Sequence, residues 1–250
     1  MKRFLFNATL GIIGMMLAAC ATRHAPLPAD DAIRKNLRNK KFVSVLFIGN
    51  SLSFGLPREL GKIARENGVN FHATQQAHSG WSLARHSRDA ETLQVLRGRP
   101  WDIVVLQEQS RIPSQRIKRH THMVPSVMQL AREARASGAM PVLYQTWGYR
   151  DGDERRFHDD FFAMNQRLRE GCHAAARVEG LSIVRVGDAW EGEMKKGRGA
   201  RLFMPDGLHP SRAGVRLNAQ VFYEALFAHQ AAPKNRKMRL NAAMPTRGGG

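Results

Sequence analysis

Short apolar runs alternate with longer amphipathic stretches from residue 42 to residue 230, and this alternation limits the fold more than any other feature of the chain. The runs at 42–48, 69–75, 103–107, 141–145 and 181–186 have the length and apolar content of strands. The stretches at 56–67, 83–97, 122–137, 159–179 and 210–229 repeat apolar residues at helical spacing. Gly68, Gly98, Gly138 and Gly180 follow four of them, where helix C-termini are expected. Strand and helix in strict turn imply an α/β fold, a parallel sheet of about five strands with helices on both faces. At 250 residues the chain can bury one such core as a single domain.

In a parallel α/β sheet, ligands bind where the chain leaves the carboxyl ends of the strands. Those exits read GNSLS (49–53), AHSGWS (77–82), QEQS (107–110) and QTWGY (145–149), and MPDGLHPSRAG (204–214) precedes the last helix. Ser51, at the end of the first run, is either a turn former or a nucleophile. Acyl transfer needs a hydroxyl, a base to deprotonate it, and a group that fixes the tautomer of the base. Ser51, His209 and Asp206 supply these roles, and a three-residue spacing lets one loop present both aspartate and histidine. Backbone N–H groups at the Ser51 turn, with Gly80 and a glutamine side chain, would stabilise an oxyanion.

These loops resemble the blocks of the SGNH hydrolases, the GDSL-type esterases, over about residues 42 to 230. Gly49-Asn50-Ser51 is similar to the first block, with asparagine where aspartate is usual. Gly80 matches the glycine of the second, and Asp206-Gly207-Leu208-His209 matches the D-x-x-H of the last. The third block, usually G-x-N-D with an asparagine that donates to the oxyanion, reads Gln107-Glu108-Gln109-Ser110. Direct alignment puts Gln109 on that asparagine, whereas a carbohydrate-esterase branch with Q-G-E-S puts Gln107 there. A bacterial SGNH group with LQEQS and QTW at these places is also similar. The resemblance implies a flavodoxin-like three-layer αβα sandwich, catalytic Ser51, Asp206 and His209, and an oxyanion hole of Ser51, Gly80 and Gln107, with Gln109 the alternative to Gln107.

Asn50, His86, Gln145 and Trp147 are the expected substrate-binding residues. His120 and His122 have no convincing third metal ligand, and neither G-x-x-x-x-G-K-[ST] nor G-x-G-x-x-G occurs. The G-x-S-x-G elbow is not completed either. No metal or cofactor is expected. The strand-exit loops are short and polar, with amides, arginines and a tryptophan suited to sugars and few aliphatics to line a lipid channel. A serine esterase cleaving short acyl groups, acetyl above all, from an envelope or extracellular glycan is therefore expected. The alternatives are a lysophospholipase- or lipase-like esterase, or a non-catalytic envelope-binding lipoprotein.

Residues 1–19 read as a signal peptide, with Lys2 and Arg3 ahead of an apolar stretch. Leu17-Ala18-Ala19-Cys20 resembles the lipobox of bacterial lipoproteins, which implies lipidation at Cys20. Ala21 after it implies the periplasmic face of the outer membrane rather than the inner membrane. Residues 20–40 read as lipidated cysteine and tether, 41–231 as the hydrolase domain, and 232–250 as a basic disordered tail. With Cys20 lipidated, Cys172 has no disulfide partner and reads as a small buried residue. Thirty-nine Lys and Arg against 21 Asp and Glu give a net charge of +18. In an exported protein that charge points to anionic envelope material, with no nucleic-acid partner expected.

Overall fold

The computed structural model describes residues 29–227. The first strand, β1 (Val43–Gly49), is buried along its whole length. Val43, Val45 and Phe47 enter one core cluster and Leu46 and Ile48 another, as the two-residue period of a strand covered on both faces requires. β2 (Phe71–Ala77), β3 (Ile103–Leu106), β4 (Met140–Gln145) and β5 (Ser182–Arg185) complete an all-parallel sheet in the order β2-β1-β3-β4-β5. The half-exposed, glutamine-bearing β2 forms one edge.

The helices are α1 (Ala29–Leu37), α2 (Leu56–Glu66), α3 (Leu83–His86), α4 (Ala90–Arg97), α5 (Arg116–Lys118), α6 (Val124–Ala136), α7 (Glu154–Phe157), α8 (Phe161–Glu179), α9 (Val186–Lys195) and α10 (Arg212–Phe227). Side chains of α1, α2, α9 and α10 fill the cluster on one face of the sheet. Those of α3, α4, α6 and the second half of α8 (Cys172, Ala175, Ala176) fill the other. This is the expected flavodoxin-like αβα sandwich. After β1 the chain turns outward to β2, then returns across β1 to β3, so the exits of β1 and β3 diverge and leave a crevice between them.

Three expectations need correction. The described part of the expected tether is α1, whose Ile33 and Leu37, one helical turn apart, are fully buried on the side of α10 and β5. Burying two such side chains contributes about 3–6 kcal/mol, so the domain begins before residue 41. The helix expected at 83–97 is broken, because Asp89 accepts from Thr92 N (2.8 Å) and starts α4 afresh. Residues from Val186 onward form α9 rather than the end of a strand. Gly187 permits this, since a Cβ there would lie 2.3 Å from Thr146 O at the end of β4. The expectations for residues 1–28, Cys20 included, and for 228–250 lie outside the described residues. Cys172 is buried on α8, and burial pushes its thiol up to about 12.

Candidate active site

β1 stops at Gly49 because the next residues turn toward the crevice and Gln107 lies across the backbone. A Cβ on Gly49 would sit 2.4 Å from Gln107 Oε1. Asn50 N–H donates to Gln107 Oε1 (2.9 Å), and Gln107 Nε2 donates back to Asn50 Oδ1 (3.0 Å). Asn50 Oδ1 also accepts from Leu52 N (3.2 Å), and Nδ2 donates to Trp81 O (2.9 Å). A carboxylate could not make that last bond, so asparagine before the serine and glutamine after β3 are two halves of one arrangement.

This turn presents Ser51 at the start of a 3₁₀ turn, with Oγ 3.0 Å from His209 Nε2. His209 Nδ1 lies 2.6 Å from Asp206 Oδ2, and Asp206 Oδ1 accepts from Leu208 N and His209 N, each at 3.0 Å. The His209 hydrogen bond, helped by the two backbone donors, holds the Asp206 carboxyl down at about 2. With Nδ1–H directed at Asp206, Nε2 is left to accept from the serine hydroxyl. The loop is pinned from several sides. Met204 N donates to His209 O (2.8 Å), Arg150 N to Gly207 O (2.8 Å) and Trp147 Nε1 to Leu208 O (3.1 Å). Gly207 has a φ of 67°, which suits glycine.

Gly80 is exposed at φ 73°, on a loop tied to the serine turn by Asn50 Nδ2–Trp81 O and by His78 N–Gly49 O (3.2 Å). The N–H groups of Ser51 and Gly80 meet no acceptor among the described residues. Gln107 does not fit an oxyanion donor, because it is buried and both its amide hydrogens are engaged, by Asn50 Oδ1 and Glu108 O (2.5 Å). Gln109 is half-buried, with one amide hydrogen on Ser110 Oγ (3.2 Å) and the other without a partner.

The four expected substrate-binding side chains are also corrected. Asn50 is the buried clamp described above. His86 is fully buried, its pKa lowered by that burial, with Nε2–H on Gly49 O (2.7 Å) and Nδ1 facing the Thr92 hydroxyl (3.0 Å). Gln145 is buried against Asp188 (2.9 Å), and Trp147 stacks on Trp190 with ring centroids 4.0 Å apart. These residues support the site from behind and offer a substrate no surface. In their place the half-buried Trp81 edges the crevice, stacked on His78 at 4.0 Å and covered by the Arg85 guanidinium at 3.9 Å.

Glu108 was not singled out from the sequence. Its buried Oε1 accepts from Leu83 N (3.1 Å) and Gln109 N (2.6 Å), joining the second-block and third-block loops. Burial pushes its carboxyl up to about 7. A charged residue directly after a buried strand was the available signal. Among the described residues no group of three His, Cys, Asp or Glu is placed to hold a metal ion.

No family model matches the chain, and no curated protein does. Solved structures do match. A Slackia heliotrinireducens protein assigned to the SGNH hydrolases is 31% identical, covering 74% of this chain and 99% of its own, with a TM-score of 0.62. A DUF4886 family protein from Bacteroides uniformis is 19% identical over 75% of this chain and 83% of its own, with a TM-score of 0.67. An acetylxylan esterase from Geobacillus stearothermophilus is 19% identical over 75% and 97%, with a TM-score of 0.56. The last two likenesses concern the fold alone.

Proposed function

The chain belongs to the SGNH hydrolases, serine hydrolases acting on ester bonds, and on that footing we propose that Ser51, His209 and Asp206 are its catalytic triad and that it removes short acyl groups from a glycan. The observation that carries the triad is the continuous chain from Ser51 Oγ to His209 (3.0 Å) to Asp206 (2.6 Å) at the mouth of the crevice. Ser51 Oγ attacks the ester carbonyl as its proton passes to His209 Nε2, and Asp206 stabilises the imidazolium. The oxyanion is met by the N–H groups of Ser51 and Gly80 and by the free amide hydrogen of Gln109. Collapse expels the alcohol, protonated by His209. Water then loses a proton to His209 and attacks the acyl-serine, and collapse releases the acid as His209 returns that proton to Ser51 Oγ.

The polar surroundings of Ser51 support a short acyl group. The acetylxylan esterase among similar folds agrees by analogy. Measuring kcat/KM for p-nitrophenyl esters from acetate to palmitate tests this. Each methylene buried in an acyl pocket contributes about 0.8 kcal/mol, so a long-chain enzyme would show a steep rise. The optimum is expected at acetate to butyrate. An optimum beyond eight carbons would point to a lysophospholipase-like enzyme, and no hydrolysis of any ester to a non-catalytic binder. The enzyme works at the bacterial envelope, held by a lipid on Cys20 at the periplasmic face of the outer membrane. Cys20→Ser should abolish labelling by a clickable fatty acid, and equal label in the variant overturns the anchor.

A further inference from the structure

A groove of about 1190 Å³ runs beside the catalytic loop. Gly55, four residues past Ser51, lines it, as do Met204 and Pro205 just before Asp206 and Pro210 and Ser211 just after His209. One wall is α2, which contributes Arg58, Lys62 and Arg65 at helical spacing. The facing wall is the start of α10, with Arg212 and Arg216. All five cations are exposed. Glu59 is the one acid in the lining, and Arg216 meets it at 3.4 Å. Arg58, Lys62, Arg65 and Arg212 have no carboxylate partner among the described residues. Three uncompensated cations on one wall and Arg212 on the other, facing across a cleft, raise the local potential well above that of a flat basic surface. The groove also exceeds the roughly 300–1,000 Å³ that holds one small ligand, which favours several units of a chain.

Resting on the Ser51 reading above, we propose that this groove is a row of subsites for an acidic polysaccharide, so that the natural substrate is an O-acylated glycan carrying carboxylates along its backbone. Guanidinium groups pair with carboxylates through two parallel hydrogen bonds, which suits sugar acids spaced along a strand. Pro205, Pro210, Met204 and Val215 give the floor and rim apolar patches for the CH faces of the rings. A bilayer fits this shape poorly. It needs a broad protruding apolar face, whereas among the large exposed hydrophobics of the described residues only Met204 lines this groove and Phe54 adjoins it, beside five exposed cations.

The test uses the full chain and three probes: O-acetylated polygalacturonate, unesterified polygalacturonate and acetylated xylan. Wild-type protein should bind unesterified polygalacturonate with an affinity that falls at least tenfold between 50 and 300 mM salt, and should deacetylate the acidic polymer at least tenfold more efficiently than xylan. In Lys62→Gln/Arg212→Gln, binding should weaken at least fivefold, and the ratio of kcat/KM on acidic polymer to that on p-nitrophenyl acetate should fall about tenfold. Lys41→Gln/Arg177→Gln removes the same charge elsewhere and should change neither. Equal losses in both double variants would reduce the effect to net charge and overturn the groove. So would equal efficiency on xylan, or binding to phosphatidylglycerol vesicles but not to the polysaccharide. Failure to hydrolyse p-nitrophenyl acetate would overturn the triad reading instead, leaving the binding measurement to judge the groove.

Discussion

Gln107→Ala should damage folding far more than chemistry. The side chain accepts from Asn50 N and donates to Asn50 Oδ1 and Glu108 O, all in the buried interior between the ends of β1 and β3. Truncation strands the Asn50 N–H, at about 1–3 kcal/mol for an unsatisfied buried donor. The vacated volume adds roughly 1–2 kcal/mol. A total of about 3–4 kcal/mol should lower Tm by about 10 °C, at some 2–4 °C per kcal/mol for a domain of this size. Turnover should fall less than tenfold in the remaining folded protein. Gln109→Ala should show the opposite pattern, an unchanged Tm and a loss of about 10²–10³ in kcat. Differential scanning calorimetry and steady-state hydrolysis of p-nitrophenyl acetate measure both. Gln107→Glu separates hydrogen bonding from packing, because it sets an oxygen against the two acceptors Asn50 Oδ1 and Glu108 O while preserving shape. A Gln107→Ala protein that keeps its Tm yet loses a hundredfold in kcat, or a harmless Gln107→Glu, would refute the clamp.

Asp206→Asn should fold normally and lose up to about 10⁴-fold in kcat, because the histidine tautomer is no longer fixed; a loss under tenfold would leave Asp206 as no more than a loop cap. Trp147→Phe removes the hydrogen bond to Leu208 O and should lower kcat about three- to tenfold with little change in KM, read by steady-state kinetics. Glu108→Gln bears on pH. Burial raises the carboxyl from 4.5 to about 7, so the folded state keeps a proton that the unfolded chain has released. That stability is fully present below about 4.5 and lost as pH rises through about 7, on the order of 3 kcal/mol in all. Urea midpoints from pH 4 to 9 should fall across this window in wild type and flatten in the variant.

The sheet was legible because β1, β3 and β4 are buried on both faces and so carry largely apolar runs, interrupted only by Ser44 in β1 and Gln145 at the end of β4, as a parallel sheet between helix layers requires. Ser51, Asp206 and His209 were legible because strand exits and a D-x-x-H spacing restrict where such groups can meet. Amide partners were not. Nothing local distinguishes a glutamine aimed at a ligand from one that reaches a backbone 57 positions away, as Gln107 reaches Asn50. His86, Gln145 and Trp147 were read as facing the crevice because polar and aromatic residues near strand exits often do. Here Thr92, Asp188 and Leu208 engage His86 Nδ1, Gln145 Nε2 and Trp147 Nε1, and the side chains are buried. α1 escaped notice because only Ile33 and Leu37 anchor it in a polar segment, and α9 because Gly187 and Gly192 weaken its helical signal.

The central claim is that Ser51 is the nucleophile. Incubating the protein with a fluorophosphonate and mapping the adduct by peptide mass spectrometry tests it most directly. The account predicts one adduct per chain on Ser51, formed at a rate that drops to background in His209→Ala. An adduct on Ser53, Ser79 or Ser110, or none on a folded and monodisperse protein, would contradict it.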